Sequence, residues 1–186
     1  GARTALFNYL LAKNLGGKFL MRIEDTDKKR STKEAIDAIT EGLNWLGLKR
    51  DEKDVFQSQN IARHQEVVIK MIENDTAYRC FTPNEELKEL RQEAEKNGKI
   101  FHFKSPWRDL SKEESNKKSL AETFVVRLKV PKDQTITIDD QVHGKVSISS
   151  NEIDDLILLR SDNTPTYMAS VVIDDHDMQI SHVLRG

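Results

Sequence analysis

The segment 19–23, Phe-Leu-Met-Arg-Ile, is largely apolar, too short for a helix of its own, and stops abruptly at Glu24, Asp25 and Asp27. What lies on either side of it limits the fold. Upstream, Ala2, Ala5, Leu6, Tyr9 and Leu10 recur at helical spacing, and Gly16-Gly17 supplies a stop. Downstream, Ser31 with Glu34 reads as a capping box. The helix that follows is expected to turn Ala35, Ile36, Ile39, Leu43 and Leu46 inward and to end at Gly47. A helix, a short buried strand over 18–23 and a second helix within about 47 residues make the rhythm of a parallel α/β sheet. The pattern lacks a strand ahead of its first helix, and the chain starts at Gly1 without a methionine, which suggests a piece of a longer protein.

The remaining pattern predicts a helix over 61–73 with Val68, Ile69 and Ile72 inward, broken at Asn74-Asp75. Then come a strand over 77–81, a charged helix over 83–96 carrying Leu87 and Leu90, and a polar, irregular stretch over 97–118. Strands are expected over 124–130, 135–138 and 142–148. The α/β rhythm returns with a buried strand over 154–160 and a turn over 161–164. Pro165 suits the first turn of a helix over 167–173, and a last strand is expected over 180–184. The expected organisation is a first part over 1–75, a small mixed insert over 76–148 and a return segment over 149–186.

At 186 residues the chain can bury one good core, or one core with a smaller insert. A net charge of −2 gives it no global basic field, so any nucleic-acid contact must come from local patches. No run approaches the roughly 18 apolar residues of a membrane span, and no signal-peptide pattern opens the chain. The lone Cys80 excludes an internal disulfide and suits a reducing compartment, so a cytoplasmic location is expected.

Ligands of open α/β sheets gather at the carboxyl ends of the strands. Glu24, Asp25 and Asp27 sit at one such end and could grip an ammonium group, position a metal, or organise a loop by accepting backbone N–H bonds. A solvated, helix-capping loop remains the plain alternative. Arg185, at another strand end, could hold a carboxylate or phosphate through two parallel hydrogen bonds, or serve as a surface ion pair. Tyr167 reads first as a core tyrosine with its hydroxyl at the edge. Asp174-Asp175-His176-Asp177 resembles a metal set, but neighbours on a helix point about 100° apart, so helix termination and local ion pairs are favoured. Phosphate-loop motifs, paired histidines, a second cysteine and a Ser-His-Asp set are all missing from the sequence. Lys99, Lys104, Arg108, Lys112, Lys117 and Lys118, interleaved with Phe101, Phe103 and Trp107, could grip a single strand of nucleic acid. Glu113 and Glu114 dilute that patch, and a solvated loop is equally open.

The stretches GARTALFNYLLAKNLGGKFLMRIEDTDKKRS and DDQVHGKVSISSNEIDDLILLRSDNTPTYMASVVIDDHDMQISHVLRG closely resemble the bacterial-type glutamyl-tRNA synthetase family. RIEDTD, PTY and HVLRG, in that order and spacing, carry the resemblance, which is weakest between residues 83 and 121. It implies a class I synthetase catalytic domain of Rossmann type, with residues 76–148 as an inserted α+β domain that binds the tRNA acceptor arm. The implied reaction is ATP-dependent activation of L-glutamate and its transfer to the 3′ end of tRNA(Glu). Carried over residue by residue, Glu24 meets the substrate ammonium, Tyr167 lines the same pocket and Arg185 reads the side-chain carboxylate. Val171 falls at a further pocket position, and Asp27 and Arg30 at contacts with the tRNA end. No residue acts as a nucleophile. The implied partners are ATP with Mg2+, L-glutamate, tRNA(Glu) and, as a second candidate, tRNA(Gln), bound by a monomer with no zinc. The family's HIGH-type and KMSKS-type segments and its anticodon-binding part are missing from these 186 residues, so the chain alone is expected to be inactive. Two relatives of different function stay open: a non-catalytic tRNA-binding paralogue, and an enzyme that transfers glutamate to a modified tRNA base. A phosphoacceptor or Mg2+ domain built on Glu24, Asp25 and Asp27 would leave Arg185 and the insert unexplained.

Overall fold

The computed structural model describes residues 1–26, 31–98 and 101–184, so the expectations for Asp27, Arg30, Lys99 and Arg185 lie outside the described residues. The chain divides into two compact units, Gly1–Arg63 with Ser170–Gly186, and His64–Ala169.

In the first unit, α1 (Ala2–Asn14) closes on Gly16, whose φ of +66° suits the left-handed end of a helix. Ala5, Tyr9 and Ala12, one stripe at spacings of four and three, pack on a core of Phe19, Leu43 and Leu48. Tyr9 meets Phe19 edge-on at 5.5 Å. Leu6 and Leu10, which share the helical spacing of that face, lie off the stripe and are 42% and 52% exposed. α2 (Lys33–Trp45) buries Leu43, while Ile39 and Leu46, also expected inward, are 53% and 44% exposed. Its end is a Schellman motif: Leu48 N–H donates to Leu43 O at 2.9 Å and Gly47 N–H to Asn44 O at 3.0 Å. This turn brings Leu48 back onto Leu43, and burying two leucines contributes about 1.5–3 kcal/mol each.

The N-cap of α2 is Thr32 rather than Ser31. Thr32 Oγ1 accepts from Ala35 N–H at 3.3 Å, and Glu34 sits in the first turn. Two adjacent hydroxyl residues made the position ambiguous. Glu34's own N–H and the Thr32 hydroxyl hold its carboxyl below the usual range. Thr32→Ala is expected to cost about 1 kcal/mol and Thr32→Ser almost nothing, read from urea denaturation midpoints. Equal midpoints for the alanine variant and the parent would reject the cap.

β1 (Arg22–Ile23) pairs in parallel with β2 (Val55–Phe56), Arg22 opposite Val55 and Ile23 opposite Phe56, with α2 as the crossover between them. The strand expected over 18–23 is shorter because Asp51 Oδ2 captures the Phe19 N–H at 2.7 Å, where a ladder bond would otherwise form. Farther along, the Phe19 and Met21 carbonyls still accept from Asp51 and Val55 N–H at 3.0 Å each. A 3-10 turn, Gln57–Asn60, follows β2 and leads into α3 (Ile61–Glu73). On α3, Val68 is fully buried while Ile69, expected inward, is 52% exposed. The expected strand over 180–184 does not form. Gln179, at φ 55°, and Ile180 close a Schellman turn on the helix ending at Asp177, and Leu184 O accepts from the Asn8 side chain at 3.3 Å.

The second unit holds β3 (Ala77–Cys80), α4 (Asn84–Lys96), α5 (Lys112–Ser119), β4 (Val125–Leu128), β5 (Thr135–Asp140), β6 (Gly144–Ser149) and β7 (Ile157–Leu159). α5 lies inside the stretch read as irregular. Ser111 caps it by accepting from Glu114 N–H at 3.3 Å, and its acidic first turn and basic last turn suit the helix dipole. The order β3-β4-β7 is antiparallel throughout, so the strand expected to rejoin a parallel sheet pairs with β4 instead. β5 and β6 form a separate hairpin, with Ile136 opposite Ile148 and Ile138 opposite Val146. Asp155 gathers three donors in this unit: the Arg108 guanidinium, the Tyr78 hydroxyl at 2.9 Å and Val130 N–H at 3.0 Å. Among the described residues no helix is long and apolar enough to cross a membrane.

Candidate functional site

The loop after β1 is built from residues of opposite duty. Glu24 directly follows the strand and keeps 42% of its side chain exposed. Among the described residues its one ion-pair partner is Arg22, whose Nη2 stands 3.6 Å from Glu24 Oε1, too long for a hydrogen bond. Asp25 turns the other way. Its carboxylate accepts from Ser58 N–H at 2.8 Å and from the Ser58 hydroxyl at 2.5 Å. The loop after β1 is thereby fastened to the turn after β2, at the carboxyl end of the parallel pair. Of the ammonium, metal and loop-organising roles open to these carboxylates, Asp25 takes the last. Glu24 is left facing solvent, as a ligand-binding group would be.

α6 (Tyr167–Asp177) supplies the neighbouring wall. Val171 is buried at 6% exposure. Asp174, 1% exposed, accepts from Gln57 Nε2 and Asn60 Nδ2 at 3.0 Å each. Asp175 Oδ1 accepts from Arg22 Nη1 at 2.5 Å. Asp177 forms a two-pronged pair with Arg63, at 2.8 and 3.2 Å. Arg63, with His176 beside it, draws the Asp177 carboxyl down to about 2. The acidic run thus divides among separate partners, as expected from helix geometry, but those partners come from distant sequence. Among the described residues no three His, Cys, Asp or Glu side chains form a metal-ligand group.

Sequence reasoning missed Arg22, Gln57, Ser58 and Asn60. Their signal was topological: Gln57 to Asn60 directly follow a strand end, but β2 is two residues long, too short to show alternation. Tyr167, at the head of α6 and in the second unit, is 49% exposed and so is not a core tyrosine. In the second unit the aromatic side chains of the basic stretch are already occupied. Lys118 Nζ sits 4.6 Å above Trp107, Arg127 lies 4.7 Å over Phe103, and Trp107 Nε1 donates to Thr82 at 3.1 Å. Trp107 and Phe103 thus each carry one of the protein's own cations on a ring face, which leaves less of the ring for a base to stack on.

Comparison with known proteins fits this arrangement. The family model described as tRNA synthetases class I (E and Q), catalytic domain, matches residues 1–186. "Glutamate--tRNA ligase 2" of Rhizorhabdus wittichii is 51% identical over 186 residues, covering 100% of this chain and 39% of the relative. "Glutamate--tRNA ligase 1" of Ehrlichia canis is 50% identical with the same coverage. A crystal structure of a glutamate tRNA ligase from Elizabethkingia meningosepticum, in complex with its amino acid, superposes with a TM-score of 0.88 at 36% identity, over 100% of this chain and 40% of that one. The chain therefore spans well under half the length of the proteins it resembles.

Proposed function

Because the chain belongs to the catalytic-domain family of class I tRNA synthetases for glutamate and glutamine, we propose that the protein carrying it activates L-glutamate with ATP and transfers it to the 3′ end of tRNA(Glu). The observation that carries this reading is Glu24: an exposed carboxylate at the carboxyl end of β1, beside a buried helix wall, with no hydrogen bond among the described residues to occupy its oxygens. Such a group can accept N–H bonds from a substrate ammonium. Val171 would add an apolar wall, Tyr167 a further contact to the substrate, and Arg185 the cation for the substrate's side-chain carboxylate. Asp27 and Arg30 would meet the tRNA end. Residues 76–148 would bind the acceptor arm, supported by a strand set separate from the β1–β2 pair.

The chemistry suits these residue types. The α-carboxylate of glutamate attacks the α-phosphorus of ATP and expels pyrophosphate. A terminal ribose hydroxyl of the tRNA then attacks the carbonyl of the glutamyl adenylate, and AMP leaves. The substrate supplies its own nucleophile, so the protein's part is placement and charge stabilisation. ATP enters with Mg2+ as co-substrate; zinc has no assigned role. A cytoplasmic monomer is the expected form, and tRNA(Gln) is the second candidate acceptor.

The test is charging of purified tRNA(Glu) and tRNA(Gln) with labelled glutamate by the full-length polypeptide. Charged tRNA(Glu) supports the reading. Glutamate attached to a tRNA base, or tRNA bound but never charged, would replace it with one of the two related functions. In the same assay Glu24→Gln is expected to raise the KM for L-glutamate about tenfold or more, through loss of the charge-assisted contact. An unchanged KM would remove Glu24 from the pocket.

A further inference from the structure

Arg22 stands between the exposed carboxylate and the helix beside it. Residues two apart on an extended chain share a face, which brings the Arg22 side chain alongside Glu24. Its Nη2 lies 3.6 Å from Glu24 Oε1, while its Nη1 donates to Asp175 Oδ1 at 2.5 Å. The Arg22 side chain is only 14% exposed, and Asp175 lies one turn beyond Val171 on α6. The two arms differ in kind. Asp175 takes the tight hydrogen bond and neutralises the guanidinium, whereas Glu24 receives a longer ion pair with no hydrogen bond.

We propose that Arg22 is a positioning residue for the amino-acid pocket, and that Asp175 keeps it from closing onto Glu24. The proposal rests on Glu24 as the ammonium ligand. Without Arg22, the Glu24 side chain is free to swing through its rotamers. Without Asp175, the guanidinium is released onto Glu24 and cancels the charge the ammonium requires. Both losses weaken glutamate binding, although neither residue touches substrate. The planar fork matters, because lysine offers one charged point where two partners must be held at set angles.

The experiment uses tRNA charging by the full-length polypeptide, with Arg22→Lys, Arg22→Gln, Asp175→Asn, the Arg22→Gln/Asp175→Asn double variant and Glu24→Gln, each checked by thermal melting. Arg22→Gln and Asp175→Asn are expected to raise the KM for L-glutamate about tenfold and to move the KM for ATP by less than about twofold. Arg22→Lys should recover part of the loss. The double variant should be no worse than Arg22→Gln alone, since a missing guanidinium cannot be released onto Glu24. If Arg22→Gln fails to fold, Asp175→Asn still carries the test. Glutamate and ATP constants that move together, or fully additive losses, would overturn the proposal. So would an unchanged glutamate KM in both single variants while Glu24→Gln raises it, which leaves the pocket assignment standing. An unchanged KM in Glu24→Gln itself overturns the assignment and the proposal together.

Discussion

Asp155→Ala is expected to destabilise the chain by about 3–5 kcal/mol, the cost of leaving a buried charge without its partner. The Asp155 and Arg108 side chains are 10% and 13% exposed, so water can replace little of what the carboxylate provides. Three donors lose their acceptor: the Arg108 guanidinium, the Tyr78 hydroxyl and Val130 N–H. Arg108 keeps one bond, Nη2 to Val130 O at 2.5 Å, which limits the loss but leaves the charge uncompensated. Asp155→Asn keeps the shape and one acceptor oxygen and should cost less, about 1–3 kcal/mol. Denaturant unfolding followed by circular dichroism measures both. A change under about 1 kcal/mol for the alanine variant would mean the network behaves as solvated surface. Domains of this size are stable by only about 5–15 kcal/mol, so the predicted loss would remove a large part of the margin. The same network sets a pH dependence. Burial, with the Asp155 carboxylate adding to it, pushes the Tyr78 hydroxyl well above its ordinary value. An unfolded tyrosine ionises near pH 10 while the folded one stays neutral. The stability Tyr78 contributes is therefore intact below about pH 10 and falls as pH rises beyond it, where ionisation favours the unfolded chain. Tyr78→Phe should flatten that fall.

Several elements were legible because a pattern and a physical need coincided. α2 shows apolar residues at helical spacing with Gly47 at its end, and β4 shows a run of apolar alternation. α5 was hidden because KEESNKKS has no apolar face: among its residues only Ser115 is buried, and the sole signal was the Ser111–Glu114 cap. The run 156–159 announced burial, but an apolar run carries neither direction nor partner, and β7 went antiparallel to β4. At the site, Glu24 could be placed from its position past a short strand. The roles of Arg22 and Asp174 could not, because their partners Asp175 and Gln57 lie 153 and 117 residues away. Polar side chains that bond across such spans leave no periodicity behind. The local ion pairs expected at the end of α6 are instead mostly made with residues distant in sequence, Arg22 and Arg63.

Arg185→Ala in the full-length polypeptide should raise the KM for L-glutamate by about 30- to 5,000-fold, which corresponds to about 2–5 kcal/mol for truncating one side of a desolvated charge pair. The KM for ATP should change little, because the contact proposed for Arg185 is to the amino acid's side chain alone. Specificity is the sharper readout. A guanidinium makes two parallel, charge-assisted bonds to a carboxylate, whereas a glutamine amide presents one acceptor oxygen and an N–H group that faces the cation unfavourably. Removing the guanidinium takes away the term that separates the two amino acids, so the kcat/KM ratio of glutamate to glutamine should fall by roughly the same factor as glutamate use itself. Arg185→Lys keeps the charge without the fork and should lie between parent and alanine variant. A variant that loses glutamate and ATP use alike points to a folding defect. One that keeps the parent's KM for glutamate and its preference over glutamine shows that another cation reads the substrate's side chain.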